Sequence, residues 1–78
     1  MIKILLFAGL KEQAGTGELE WPEAGMTVAQ LKEQAARAYP FGPELSTSMT
    51  AVDEEFVDEQ YIVKDGDVVS LFPAVGGG

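Results

Sequence analysis

The stretch MTVAQLKEQAARAYP, residues 26–40, decides how this chain folds. Thr27 offers a side-chain oxygen to cap a helix, and Gln30, three residues on, can reach back to the Thr27 main chain, which makes a capping box. Val28, Leu31, Ala35 and Ala38 then recur at spacings of three, four and three, tracing one narrow apolar face. Lys32, Glu33 and Arg37 fall off that face, toward water. Pro40 stops the helix, because proline has no N–H to donate and restricts the residue before it. Small alanines on the apolar face let such a helix sit close to a sheet, so the flanking sequence is read for strands.

Upstream, IKILLFA (2–8) is short and rich in β-favouring types, with Ile2, Ile4 and Leu6 pointing one way and Lys3, Leu5 and Phe7 the other. Gly9 and Gly15 bracket LKEQA, a turn of helix. TGELEW (16–21) alternates, with Leu19 and Trp21 against Glu18 and Glu20, and ends at Pro22. Downstream, FGPELS (41–46) is irregular with room for one helical turn. TAVD (50–53) reads as a short strand, and EFV and QYIV (within 55–63) as a further extended piece. KDGD (64–67) is a turn, since Asp-Gly readily takes positive φ. VVSLF (68–72) is the last strand, Val69 and Leu71 alternating with Ser70 and Phe72. Two strands, a helix and further strands define an α+β domain, one main helix packed on one face of a mixed sheet. The expected organisation is a folded domain over residues 1–72 and an extended tail over 73–78.

Composition narrows what the domain can do. Of 78 residues 46% are apolar, enough for a single core. Thirteen acids against five bases give a charge of −8, which disfavours nucleic acid and suits a basic partner surface. The chain has no cysteine and no histidine. Soft or borderline metal sites and the usual nucleophile–base pairs are therefore excluded, and Ser46, Ser48 and Ser70 have no imidazole to activate them. DEEFVDE (53–59) lacks the alternation and the loop glycine of a calcium-binding loop, so no metal is expected there. The apolar run of the opening strand is too short for a signal peptide or a membrane span, and the expected location is cytoplasmic, with no membrane partner.

The chain closes with LFPAVGGG (71–78). These glycines precede no helix and form no phosphate cradle. A glycine run has much backbone freedom to lose on ordering and adds nothing to a fold. Its only reactive group is the main-chain carboxylate of Gly78. Gly76, Gly77 and Gly78 have no Cβ, so their backbone can pass through a narrow channel, and Pro73 stiffens the exit from the last strand. Residues 73–78 can extend about 20 Å at ~3.3 Å per residue, far enough to reach a buried site in another protein.

This order of elements with a Gly-Gly end resembles the β-grasp fold of ubiquitin and its relatives. MIKILLFAGLKEQAG is similar to the opening of molybdopterin synthase small subunits, the MoaD family of sulfur carriers. AVDEEFV and DGDVVSLFPAVGGG resemble that family's final strand, its Phe-Pro-x-Val exit and its terminal Gly-Gly. The likeness covers nearly the whole chain and is weakest over residues 22–48. Two positions depart from the pattern: Pro73-Ala74 stands where Pro-Pro is usual, and Asp53 where asparagine is common. Neither touches the reactive end.

The resemblance implies a cycle. An adenylating enzyme spends ATP to activate the Gly78 carboxylate, sulfur replaces the adenylate to leave a thiocarboxylate, and the large synthase subunit uses that sulfur. Two carriers, one on each half of a heterotetramer, deliver the two sulfurs of the molybdopterin dithiolene. The chain itself then binds no cofactor and acts as a non-catalytic donor. If the helix covers the Ile4 and Val69 side of the sheet, Phe7 and Phe72 lie on the uncovered side as a partner site. By resemblance Phe56 is a third contact, with Pro73 and Val75 along the exit. Acids at 53–55 and 58–59 would steer a basic partner. The rival readings are a sulfur carrier for the thiamine pathway, a ubiquitin-like protein modifier, and an inert β-grasp module whose phenylalanines fill a second small core.

Overall fold

The computed structural model describes residues 1–74. The capping box forms as expected at the start of the longest helix: Gln30 N–H donates to Thr27 Oγ1 (3.1 Å) and Thr27 N–H to Gln30 Oε1 (2.9 Å). This helix, α2 (Val28–Ala38), is preceded by β1 (Ile2–Leu6), α1 (Ala8–Ala14) and β2 (Glu18–Trp21). It is followed by α3 (Glu44–Thr47), β3 (Met49–Val52), β4 (Glu55–Val57) and β5 (Val68–Phe72). The strands lie in the order β2-β1-β5-β3-β4. β1 and β5 are parallel at the centre, and the other neighbours are antiparallel.

Alternation along the strands sorts the sheet into two faces. Ile2, Ile4, Leu6, Leu19, Val52, Val69 and Leu71 are buried and form one cluster with Val28, Leu31 and Ala35 of α2. Trp21 reaches from β2 to the helix, where its indole N–H donates to Gln34 Oε1 (2.9 Å). The turn after the 60–63 segment is drawn as the sequence predicts, with Gly66 at φ +91° and Asp67 N–H donating to Lys64 O (3.0 Å). Positive φ there explains the glycine.

Several expectations need correction. The first strand stops at Leu6: Phe7 is still extended, and Ala8 at φ +52° turns the chain into α1, which therefore contains Gly9. The second strand begins at Glu18 rather than Thr16. QYIV is not a strand. Ile62 makes a single bridge to Thr27, because the segment instead runs past the start of α2 and supplies carbonyls to it. Val28 N–H donates to Tyr61 O (2.9 Å) and Ala29 N–H to Glu59 O (3.1 Å), satisfying donors that a helix start leaves open.

The helix face is the predicted one at Val28, Leu31 and Ala35 and departs from it at Ala38 and Lys32. Ala38 is exposed, and the core beneath the helix end is covered by Tyr39 and Phe41. Lys32, expected in water, is 4% exposed. It faces the side of α2 against which α3 and the chain after β4 pack, so its stem is covered, and its ammonium group finds acceptors on both. Lys32 Nζ donates to Ser48 O (2.7 Å) and to Glu59 Oε2 (2.9 Å).

Candidate docking face and tail exit

The sheet face turned away from α2 carries the residues left over by the alternation. Leu6 pairs with Leu71 in the parallel β1–β5 ladder, so the next residues, Phe7 and Phe72, stand side by side. Their rings stack at 4.6 Å with planes 12° apart. Phe56 leans on the other side of Phe72, centroids 6.3 Å apart and planes at 58°. Both separations are those of favourable offset or tilted aromatic pairs. The three predicted phenylalanines thus form one row with Phe72 in the middle, at the end of the sheet from which the chain leaves.

This row is a surface and not a second core. Phe7 is 40% exposed and Phe56 68%. Met49 joins it, 43% exposed and paired with Phe72 across β3 and β5. The sequence reading starts that strand at Thr50 and leaves Met49 out; the Ala51 alternation extended back by two residues includes it. Beside the row lies a shallow hollow of about 440 Å³ walled by Leu5, Val68, Phe56 and Phe72.

Asp53 and Glu54 stand on the rim of the hollow. They form the two-residue loop between the paired Val52 and Glu55, with φ of +50° and +72°. A two-residue hairpin of this kind takes positive φ at both central positions, which Asn-Gly meets without strain and Asp-Glu does not. The tight turn holds two carboxylates at the mouth of the hollow. Glu55 and Asp58 are also exposed, but neither lines the hollow, and alternation with Phe56 turns Glu55 to the other side of the sheet.

Pro73 is half-buried and Ala74 exposed as the chain leaves β5. Val75, Gly76, Gly77 and Gly78, the tail positions singled out in the sequence, lie outside the described residues. No helix among the described residues is long and apolar enough to cross a membrane.

A mixed five-stranded sheet in this order, with its main helix on one face, is a ubiquitin-like β-grasp. The chain belongs to the ThiS family, whose model matches residues 4–78. Over an alignment of 81 residues it is 33% identical to the molybdopterin synthase sulfur carrier subunit of Escherichia coli (strain K12), covering 100% of both chains. Among solved structures it is similar to a Pyrococcus furiosus protein provisionally assigned as molybdopterin converting factor subunit 1. That match has 33% identity and a TM-score of 0.73, over 95% of this chain and 97% of the other. It is also similar to SAMP1, small archaeal modifier protein 1, of Haloferax volcanii, with 25% identity and a TM-score of 0.75, over 99% and 98% of the two chains.

Proposed function

We propose that this chain is the sulfur-carrier subunit of a molybdopterin synthase, working in the cytoplasm. The observation that carries the reading is end-to-end identity of 33% with the E. coli carrier subunit. An open aromatic row on the strand that leads into the glycine tail supports it, because a carrier needs a grip for its partner beside the group it delivers.

The chemistry follows from the carboxylate of Gly78. A carboxylate resists attack by nucleophiles until its oxygen is made a leaving group. An activating enzyme joins that oxygen to the α-phosphorus of ATP and releases pyrophosphate, leaving an acyl-adenylate. A sulfide equivalent from a sulfur donor then displaces AMP, and the carbon carries a thiocarboxylate. Its sulfur displaces an oxygen substituent of the pterin precursor in the large subunit, water then cleaves the resulting thioester and returns the Gly78 carboxylate, and Gly76 and Gly77 thread the channel. Side chains of this chain take no part in these steps; it presents the donor while its partners hold the catalytic groups and the nucleotide. Burial of Phe7, Phe56 and Phe72 on the large subunit would contribute about 1.5–3 kcal/mol each before association costs.

Intact-mass spectrometry tests this directly. Incubation with the activating enzyme, ATP and a sulfur donor should exchange one oxygen for sulfur at Gly78, and the loaded protein with the large subunit should convert the pterin precursor. An unchanged mass is the result expected of an inert module. Loading without conversion points to another acceptor, as for a thiamine-pathway carrier. Gly77→Trp should block transfer and leave the unfolding midpoint in place.

The likeness to SAMP1 favours a second reading, in which an amine of another protein captures the activated Gly78 carbon. Conjugates heavier by the whole chain would identify it.

A further inference from the structure

The patch on the open face includes Phe56 and the Asp53–Glu54 tip, and both ride on the β3–β4 hairpin. β4 has three residues and is an edge strand, paired with β3 alone. A ladder this short is marginal by itself. What holds it lies on the opposite side of the sheet. The buried Lys32 ammonium donates one hydrogen to the carbonyl of Ser48, the residue before β3. It donates another to the carboxylate of Glu59, two residues beyond β4. One side chain of α2 therefore ties both ends of the hairpin to the helix. Main-chain bonds from Val28 and Ala29 to Tyr61 and Glu59 hold the same segment to the same helix.

Burying the Lys32 ammonium is a poor way to gain stability, because its desolvation offsets most of the attraction to its acceptors. Its geometry, in contrast, is directional: two acceptors at fixed places define where the hairpin sits. From this juxtaposition we infer that Lys32 is a positioning residue for partner docking, setting the place of Phe56 and the acidic tip although it never touches the partner. The inference rests on the reading of the open face as the docking face. Without the lysine, β4 opens locally more often, and affinity falls by the fraction of molecules whose patch is complete.

The experiment compares binding to the large synthase subunit for Lys32→Met in three backgrounds: the parent chain, Phe56→Ala and Phe7→Ala. Lys32→Met should weaken binding by about fivefold or more in the parent and in Phe7→Ala, and by only about twofold in Phe56→Ala, where the acidic tip alone is left to position. General destabilisation would not discriminate between the two phenylalanines. Hydrogen exchange on the free protein supplies a second readout: amides of β3 and β4 should exchange faster in Lys32→Met while those pairing β1 with β5 keep their protection. Glu59→Ala, at a half-exposed position, should reproduce both patterns in smaller measure if Lys32→Met fails to fold. Equal weakening in all backgrounds, or unaltered β4 exchange, overturns the role of Lys32. Failure of the parent chain to bind overturns instead the proposed function, and the exchange experiment still decides whether the lysine pins the hairpin.

Discussion

Between α2 and the sheet, Ile4, Leu31, Val69 and Leu71 are at most 1% exposed, and a lysine is buried among their neighbours. Across the same strands, one residue out of step, Phe7, Met49 and Phe56 stand in water while Ser70 and Leu5 are half-covered. The two faces share a backbone, yet the covered one admits a charged group among its aliphatic side chains and the open one leaves large apolar groups in water. That contrast separates two tasks. The covered face answers to packing and to satisfaction of polar groups, so an ammonium is admitted only with two acceptors in reach. The open face leaves its aromatics stacked on one another and uncovered, as the proposed docking to a partner requires.

Substitutions can break or sharpen this contrast. The largest effect belongs to the covered face: Leu31→Ala should lose about 2–5 kcal/mol, read from urea unfolding, because the rigid surroundings cannot close the cavity. Lys32→Met should lose about 1–2 kcal/mol, since the Ser48 carbonyl loses its donor while Glu59, 45% exposed at its side chain, turns to water. A gain there would mean that the buried charge is held against stability altogether. Thr50→Val should gain about 1 kcal/mol, because Thr50 Oγ1 is buried without a hydrogen-bond partner among the described residues. At the acidic hairpin tip, Glu54→Gly should raise stability by about 0.5–1 kcal/mol by relieving the positive φ. Phe56→Ala should sit at the bottom of the series, within about 0.5 kcal/mol of the parent in unfolding. Its affinity for the large subunit should nevertheless fall about tenfold or more. A Phe56→Ala protein that unfolds as early as Leu31→Ala would erase the distinction between the faces.

Much of this layout could be read along the chain. Period-two alternation in IKILLFA and VVSLF separated Ile4 and Leu71 from Phe7 and Phe72, because a strand has only two sides. The capping box at Thr27 and Gln30 is a local bond pattern and needs nothing distant to form. Lys32 and Ala38 depart from the helical pattern for one shared reason. Helical periodicity gives an angle around the axis, but the width of the buried sector depends on what else packs there. α3 and the 58–63 segment close over Lys32, while Tyr39 and Phe41 take over the core that Ala38 would have covered. Met49 is not legible as strand because Ser48 and Thr50, polar residues on either side of it, obscure where the strand begins.

Sequence by itself determined which residues alternate, where the main helix is capped, and that histidine and cysteine chemistry is closed to this chain. It also showed a likeness to sulfur carriers that the family match upholds. These are properties of neighbours in the chain, set by bond geometry and composition. Tertiary structure decided that Phe72 is flanked by both Phe7 and Phe56, and that a lysine beneath the sheet reaches both ends of the hairpin carrying Phe56. Those contacts join residues far apart in sequence, and only the strand order and the packing of α2 bring them within hydrogen-bond or van der Waals range.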